Sequence, residues 1–431
     1  MKMEKSSNVK RALVITKAVT KITLAHTKSL LSQKLLTKQQ STQQSLKAVF
    51  DAITQLKGLS VKVAQQIAIT MPFLPKNYLD ELEKSFDSIP PINRALIRKI
   101  IKNNFQKYPE ELFDSFDDTA YKSASIGQVH IGAIGDEKVA IKVQYPGMNS
   151  NIQNDIKLLK LALMKITKSN NIDHLIKELS DKLEEELDYT KEAKNIDFFR
   201  ENNLSEQIII PKVFEDYCAP NILTLSFLEG DSFAAFISKN PDLESRNHYA
   251  QLIFDNFFAN LYKNKTIHAD PNPANFIFME DNKLGIIDFG CVKKIDNDFL
   301  KLFTKLHISL IENRDDHFIT NIYKEIGMID DTPQAIEFYT EVIKPMEDIY
   351  IGVLKNDWYK FTNNFTFTKN GFDTAKDIKE RYKTTFSKFH QDYLFIDRTL
   401  LGYYSLFEKL DCTIDTQYVK SLMREYHENN I

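Results

Sequence analysis

The segment at residues 268–290, HADPNPANFIFMEDNKLGIIDFG, constrains what this chain can fold into more than any other stretch of its sequence. Two short apolar runs flank an Asp-Asn pair, which favours a tight turn, so the segment predicts a β-hairpin. Asp270 and Asn275 lie five residues apart on the loop before this hairpin, and Asp288 opens an Asp-Phe-Gly sequence after it. The pattern therefore predicts a hairpin with oxygen-bearing side chains before and after it.

These three side chains match the requirements of γ-phosphoryl transfer from ATP. Magnesium on the β- and γ-phosphates takes carboxylate and amide oxygens as ligands, and a further carboxylate orients the attacking group. The pattern Asp-x-x-x-x-Asn followed by Asp-Phe-Gly is typical of kinase catalytic loops. We therefore predict that Asp270 is catalytic, by orienting the nucleophile or accepting its proton, and that Asn275 and Asp288 hold Mg²⁺. His268 is interpreted as part of the loop scaffold rather than as an acid or base.

A candidate cation and its partner occur earlier in the chain. Lys142 ends the sequence VAIK on the predicted third strand of the first sheet, from which a lysine reaches the α- and β-phosphates. In the predicted acidic helix EELDYTKEA, Asp188 and Glu192 lie four residues apart and repel each other unless a cation intervenes. Lys142 is the candidate for that cation, and Lys142 and Glu192 are predicted to be catalytic. The alternative is an outward-facing lysine and a solvated acidic face.

No glycine-rich loop precedes Lys142. The sequence KSASIGQVH instead presents Ser123, Ala124 and Ser125, small residues that let backbone amides approach phosphates. Their Cβ atoms restrict the loop more than glycine would, which weakens the case for a protein substrate. We predict a nucleotide-binding role for these three residues and for Lys142.

The periodicity of apolar residues changes along the chain. Residues 1–110 have helical periodicity, and residues 111–228 contain short strand patterns around a helical insertion. In the second region, IGQVHIGAI and KVAIKVQY predict a hairpin with a Gly-Asp turn, and IIIPKVFEDY and NILTLSF predict a second strand group. Residues 229–431 are mostly helical, and LLGYYSLFEKL at residues 400–410 predicts core, with a substrate pocket as the alternative. The chain is therefore predicted to be α+β, in two unequal lobes.

Composition excludes several classes of function. A net charge of −3 argues against nucleic-acid binding, and three widely separated cysteines argue against a disulfide framework or a zinc site. No apolar run is long enough to span a bilayer, so the expected location is cytoplasmic. Residues 1–48 carry ten Lys or Arg against one acid, Glu4. This basic segment is expected to contact an anionic membrane peripherally, or to be a transit peptide or a frayed helix.

Several further motifs carry a resemblance to a known family. They are KVAQ followed by LPKNYLDELEKSFDSIPP, then SASIGQVH, VAIKVQYPG, ELDYTKEA, HADPNPAN and DFG. From about Arg11 to the C-terminus the chain resembles the UbiB/AarF (ABC1-type) atypical kinases, relatives of proteins that support coenzyme Q synthesis. The resemblance implies a bilobal protein-kinase-like fold with an all-helical N-terminal extension covering the cleft.

The resemblance also implies roles for residues that local patterns leave undecided. Lys62 and Gln65 of the extension would lie near the nucleotide and contact Glu186 and Asp188, while Glu192 would pair with Lys142. In this family an alanine-rich loop replaces the glycine-rich loop of ordinary kinases. Both this loop and the N-terminal extension are said to disfavour protein substrates. Three residues depart from the family pattern: Ala64 and Ala274 replace glycines, and Asn272 replaces a histidine.

The leading hypothesis is therefore an atypical kinase or ATPase that binds ATP and Mg²⁺. Its ligand would be a small molecule or lipid, such as a quinone precursor, in quinone or isoprenoid lipid metabolism. One alternative is a nearly inactive, ATP-dependent regulatory scaffold of a membrane-associated biosynthetic complex. A second alternative is a phosphotransferase resembling aminoglycoside or choline kinases, against which KVAQ and SASIGQVH argue.

Overall fold

The computed structural model describes residues 93–124, 127–146, 187–381 and 390–430, which form two compact units. The described part of the first unit comprises residues up to Ala193 together with Val213–Phe227. The second unit comprises Lys194–Lys212 and the chain from Leu228 onward. Outside the described residues lie residues 1–92 of the predicted N-terminal extension, the helical stretch expected at residues 151–186, and Lys62, Gln65, Ser125 and Glu186.

The first unit is built on an antiparallel sheet that follows two helices, α1 (Arg94–Phe105) and α2 (Pro109–Leu112). Its strands are β1 (Ser115–Phe116), β2 (Lys122–Ala124), β3 (Gly127–Ile134), β4 (Glu137–Gln144) and β6 (Ile222–Ser226). They pair in the order β1-β3-β4-β6, and β2 pairs with the start of β3.

Strand β4 has one face in the core of this unit. Its alternate residues Val139, Ile141 and Val143 are fully buried and cluster with Ile97 and Ile101 of helix α1. Because successive side chains of a strand point to opposite faces, Lys142 faces away from this core. The alternating apolar residues of VAIKV therefore fix strand β4 against the core and, by the same alternation, place Lys142 on the opposite face.

The predicted hairpin of β3 and β4 is confirmed. The two strands pair from Gly127 with Gln144 to Ile134 with Glu137, and Gly135 in the turn has a φ of +58°. Lys142 lies on the fourth strand in chain order, not the third, because the short strands β1 and β2 both precede the hairpin.

The second strand group does not form one unit, contrary to the prediction. Within IIIPKVFEDY, only β5 (Ile208–Ile209) is a strand, and it pairs in parallel with β10 (Leu284–Ile286) of the second unit. NILTLSF supplies β6 of the first unit. Pro211 has no N–H to donate, which limits how far β5 extends.

The second unit contains three small sheets among its described residues. One has the order β5-β10-β9-β7, with β7 at Asp231–Ser232 and β9 at Phe276–Phe278. The others pair β8 (Thr266–His268) with β11 (Val292–Lys294), and β12 (Trp358–Lys360) with β13 (Thr413–Asp415). The predicted hairpin with an Asp-Asn turn is confirmed, since Asp281 and Asn282 between β9 and β10 have φ values of +58° and +57°.

Most other described residues of the second unit are helical. In chain order the helices are α3 (Tyr189–Glu201), which begins in the first unit, α4 (Phe233–Ser238), α5 (Leu243–Ala259), α6 (Asn297–Ile311), α7 (Asp316–Ile326), α8 (Ala335–Phe338), α9 (Lys344–Lys355), α10 (Thr366–Arg381), α11 (Gln391–Leu410) and α12 (Gln417–Glu428). π-Helical turns at Asn260–Asn264 and Tyr339–Ile343 extend α5 and join α8 to α9. The expected α+β class is confirmed.

No helix in the described parts of the chain is long and apolar enough to cross a membrane. Helix α11 is the longest of them, and its residues 400–410 carry Tyr403, Tyr404 and Phe407 into the core. The predicted core role of LLGYYSLFEKL is therefore confirmed.

A buried carboxyl group lies among tyrosines in this helical region. Glu347 on α9 is 6% exposed and accepts hydrogen bonds from the hydroxyls of Tyr323 and, at 2.9 Å, Tyr339. Burial raises the pKa of Glu347 to about 7, although the two hydroxyls lower it in part. Burial also raises the pKa of Asp397 to about 7.

Glu347 predicts a pH dependence of stability. Because its folded pKa lies above the unfolded value, the protonated form is favoured by folding, and this contribution is lost as pH rises from about 4.5 through 7. In the wild type, this group should lower the free energy of unfolding by at most about 3 kcal/mol between pH 5 and 8. Glu347→Gln should remove this decrease, because glutamine does not titrate. Urea unfolding at several pH values measures it.

The matched control is Glu337→Gln, since Glu337 is exposed on the neighbouring helix α8. That variant should keep the pH slope of the wild type. The explanation is wrong if Glu347→Gln and the wild type lose stability equally over this pH range.

Candidate functional site

Lys142 and Glu192 form a close ion pair in the first unit. The ammonium of Lys142 donates to both carboxylate oxygens of Glu192, at 2.9 and 3.0 Å, and their side chains are 17% and 5% exposed. The same ammonium lies 4.9 Å from the ring centre of Tyr189. Gln144 donates a hydrogen bond of 2.9 Å to the carbonyl of Leu187, which ties strand β4 to the start of α3. The pairing implied by the family resemblance is therefore present.

Asp188 is not inside the helix that carries Glu192. Helix α3 begins at Tyr189, and the Asp188 carboxylate accepts hydrogen bonds from the amide of Thr190 at 3.0 Å and from its hydroxyl at 2.6 Å. An aspartate directly before a helix satisfies amides that have no partner in the first turn. The expectation that Asp188 and Glu192 share a helical face is therefore wrong. The implied contacts of Lys62 and Gln65 with Glu186 and Asp188 lie outside the described residues, because Lys62, Gln65 and Glu186 are not among them.

Ser123 and Ala124 also differ from the prediction of a loop. They belong to strand β2, where Ser123 pairs with Gln128 and Ala124 with Gly127. Their backbone thus takes part in a β-ladder directly before Ser125. Their role in nucleotide binding stays a prediction.

In the second unit, Asp270 and Asn275 lie at opposite ends of one short loop. Strand β8 ends at His268, and a 3₁₀ turn at Pro273–Asn275 leads into β9. The amide nitrogen Nδ2 of Asn275 donates to the backbone carbonyl of Asp270 at 3.2 Å. Asn272 caps the 3₁₀ turn through a 3.0 Å hydrogen bond to the amide of Ala274, so this departure from the family pattern has a structural role.

Asp288 lies two residues beyond β10 and is tied by backbone contacts to the same loop. His268 Nε2 lies 2.6 Å from the carbonyl oxygen of Asp288, and the amide of Ala269 donates to the carbonyl of Cys291 at 2.8 Å. The Asp288 carboxylate accepts the amide of Gly290 at 3.0 Å. The structure therefore brings the backbones on either side of the hairpin together, as the predicted site requires.

Asn275 and Asp288 have the donor chemistry that magnesium needs. Because Nδ2 of Asn275 is engaged as a donor, its Oδ1 is the atom available as a metal ligand. Among the described residues no three His, Cys, Asp or Glu side chains converge to hold a metal ion. One carboxylate and one amide oxygen suit a Mg²⁺ ion whose other ligands are phosphates and water.

Comparison with models of protein families assigns more than half of the chain to one family. The model of the ABC1 atypical kinase-like domain matches residues 84–322, more than half of the chain. The chain belongs to the ABC1 atypical kinase-like family. The Lys142–Glu192 pair of the first unit and residues 270–288 of the second unit all lie within the matched residues.

Relatives with curated descriptions carry kinase names. The chain is 32% identical over 280 residues to a Dictyostelium discoideum protein described as the probable serine/threonine-protein kinase abkB, covering 61% of this chain and 42% of that protein. It is 28% identical to the Arabidopsis thaliana chloroplastic protein ACTIVITY OF BC1 COMPLEX KINASE 8, covering 56% and 33%. It is 25% identical to a probable protein kinase UbiB of Shewanella baltica, covering 73% and 61%. The matched region is thus less than half of the Dictyostelium and Arabidopsis proteins.

The fold resembles that of a solved structure. The Mycobacterium tuberculosis protein Rv3197, solved as a complex with erythromycin, superimposes with a TM-score of 0.66 over 89% of this chain and 96% of that one. The sequence identity of 22% makes this a likeness of fold. Together with the family match, it confirms the mixed α+β kinase-like fold.

Sequence patterns missed three residues that support the site. Tyr189 places its ring beside Lys142, Asn195 donates a 2.9 Å hydrogen bond to the carbonyl of Phe289, and Tyr403 contacts His268. Asn195 is three residues after Glu192 on α3, a spacing that could have drawn attention to it. Tyr403 is 135 residues from His268, and no local pattern connects the two.

The Lys142–Glu192 pair predicts a measurable coupling in stability. Glu192→Gln removes the counter-charge of a mostly buried ammonium, and Lys142→Met leaves a mostly buried carboxylate, so each should lower the free energy of unfolding by about 2 kcal/mol. The double variant should lose at least about 1 kcal/mol less than the sum of the two. Circular dichroism in urea is a suitable measurement, because the only tryptophan, Trp358, lies in the second unit.

An exposed pair supplies the control for this cycle. Lys305 and Glu325 are 35% and 49% exposed, so Glu325→Gln should change stability by less than about 0.5 kcal/mol. Additive losses for Lys142→Met and Glu192→Gln would contradict a coupled pair.

Proposed function

We propose that this protein is an atypical kinase, an ATP-dependent phosphotransferase or ATPase that uses Mg²⁺. The arrangement of Asp270, Asn275 and Asp288 carries the proposal. Hydrogen bonds between backbone and scaffold side chains hold the three residues in one small region of the second unit. This is the set of groups, in the chain order, that phosphoryl transfer by kinases requires.

Each residue has a definite task in this reaction. Lys142 neutralises the α- and β-phosphates, and Glu192 fixes the position of its ammonium. Asn275 and Asp288 would hold Mg²⁺, which supplies positive charge at the β- and γ-phosphates when bound. Asp270 accepts the proton of an attacking hydroxyl, or orients water, as the bond from the γ-phosphorus to the leaving oxygen of ADP breaks and the new P–O bond forms.

The acceptor that we propose is a small molecule or lipid, such as a quinone precursor. The resemblance to relatives of proteins that support coenzyme Q synthesis, carried by the motifs from KVAQ to DFG, supports it. The serine- and alanine-bearing sequence before β3 supports it too, since it replaces the glycine-rich loop of protein kinases. The basic residues 1–48 would give such an enzyme a peripheral contact with the membrane that contains its substrate.

Nucleotide binding tests the proposal directly. We expect MgATP or MgADP to raise the melting temperature of the wild type and to lose this effect in Asp288→Asn, because an amide replaces the charged metal ligand. Asp270→Asn should keep the stabilisation while turnover falls by about 100-fold or more, because the proton acceptor is lost. Thermal shift and ADP release, each with and without lipid vesicles, measure the two effects.

Asp281→Asn is the matched control, since Asp281 is exposed in the hairpin turn and asparagine tolerates its positive φ. It should behave like the wild type in both assays. Binding without turnover under any condition would favour the regulatory scaffold instead. Absence of nucleotide binding in the wild type would refute the proposal.

A further inference from the structure

We propose that helix α11 positions the candidate catalytic loop through two consecutive residues, Gly402 and Tyr403. The effect on turnover rests on the proposed function, whereas the effect on loop geometry does not. Both residues contact the loop within the second unit, on either side of Asp270 in sequence. Neither belongs to the groups assigned to nucleotide, metal or acceptor, so both are positioning residues.

Gly402 allows the loop to lie directly against the helix backbone. A Cβ atom at this position would lie 2.1 Å from Cγ and 2.8 Å from Cβ of Pro271, the residue after Asp270. The proline ring is rigid, so any larger residue at position 402 has to displace the loop. Glycine inside a helix is otherwise unfavourable relative to alanine, and this contact accounts for its presence in α11.

Two other helical glycines show that this contact is specific to Gly402. Gly352 in α9 and Gly371 in α10 have no atom within 4 Å of the position that a Cβ would take. Alanine at either position meets no obstacle. The chain therefore offers matched substitutions of the same chemistry in the same kind of element.

Tyr403 holds the other side of the loop. Its hydroxyl lies 3.2 Å from both Nδ1 and the backbone oxygen of His268, two residues before Asp270. On the opposite side of the same ring, Nε2 faces the carbonyl of Asp288 at 2.6 Å. Since a carbonyl only accepts, Nε2 of His268 carries a proton, and in the neutral ring Nδ1 is the acceptor. Tyr403 can then donate to Nδ1 or to the backbone oxygen, so it supports the link between His268 and Asp288.

The environment of Tyr403 keeps its hydroxyl in the protonated, donating form. Tyr403 is 4% exposed and packs against Phe257 and Phe276 at ring-centre distances of 5.5 and 6.3 Å. Burial raises the pKa of its hydroxyl well above the ordinary value, and the nearby charge of Asp270 adds to this. Its neighbour Tyr404 is equally buried but packs against Phe367 at 5.1 Å.

The test compares four variants of the full chain: Gly402→Ala and Tyr403→Phe, with Gly352→Ala and Tyr404→Phe as controls. Hydrogen–deuterium exchange of the amides at residues 269–275 reports loop geometry. We expect at least about tenfold faster exchange in Gly402→Ala and a smaller increase in Tyr403→Phe, with the controls unchanged. In both test variants kcat should fall, by about 10- to 100-fold in Gly402→Ala, while KM for ATP stays within about twofold, because the catalytic carboxylate is displaced but the nucleotide contacts remain.

A second-site variant tests whether the contact with Pro271 causes the effect of Gly402→Ala. Pro271→Ala removes the ring atom Cγ, which would lie 2.1 Å from a Cβ at position 402. The Cβ of residue 271, at 2.8 Å, remains in the alanine variant, so Gly402→Ala combined with Pro271→Ala should recover part of the slower exchange and of the turnover that Gly402→Ala loses. An effect of Gly402→Ala that arises elsewhere than at the contact with Pro271 would not be rescued in this way.

The outcomes separate this inference from the proposed function. Faster loop exchange in the two test variants but not in the controls supports the contact even if the wild type shows no turnover, a result that would count against the enzymatic proposal only. Exchange and kcat equal to those of the controls in both Gly402→Ala and Tyr403→Phe would overturn the inference, whatever the activity of the wild type.

Discussion

The hydrogen bond between His268 Nε2 and the carbonyl of Asp288 connects the two pieces of backbone on which the candidate site depends. Pairing of β8 with β11 continues this connection, and the Ala269 amide adds a further hydrogen bond to the carbonyl of Cys291. The positions of Asp270 and Asp288 are therefore set by backbone geometry and by a scaffold histidine. Because backbone hydrogen bonds and His268 hold this geometry, the positions of the two aspartates do not depend on which ligand their carboxylates contact.

Two buried glutamates illustrate how differently the two units accommodate a carboxyl group. Glu192 in the first unit lies against the ammonium of Lys142, whereas Glu347 in the second accepts tyrosine hydroxyls and has a pKa raised to about 7 by burial. A buried ion pair is weak evidence for stability, because desolvation of both charges offsets their attraction. The pair of Lys142 and Glu192 is therefore consistent with the proposed role of Lys142, in which a fixed ammonium neutralises phosphates.

Membership of the ABC1 atypical kinase-like family and the kinase-like fold agree with the roles proposed for Lys142, Asn275 and Asp288. Strand β4 presents Lys142 on the face opposite the core, and the β9–β10 hairpin separates Asn275 and Asp288, the two proposed magnesium ligands, in sequence while its flanks bring their backbones together. The helical region after the matched residues also reaches this loop, because Gly402 of α11 lies directly against Pro271 of the candidate catalytic loop. A segment that sequence alone identifies only as core thus has a position next to the chemistry.

The sequence by itself determined the chemical groups, their order along the chain, and the local elements that carry them. Alternating apolar residues specified β4, an Asp-Asn turn specified the β9–β10 hairpin, and Asp270, Asn275 and Asp288 followed from their spacing, because each of these signals acts over a few residues. Only the tertiary structure decided that Asp188 caps α3, that β5 joins β10, and that Gly402 and Tyr403 meet the loop. These outcomes depend on where a helix begins or on contacts between residues more than seventy positions apart, which leave no periodic trace in either segment.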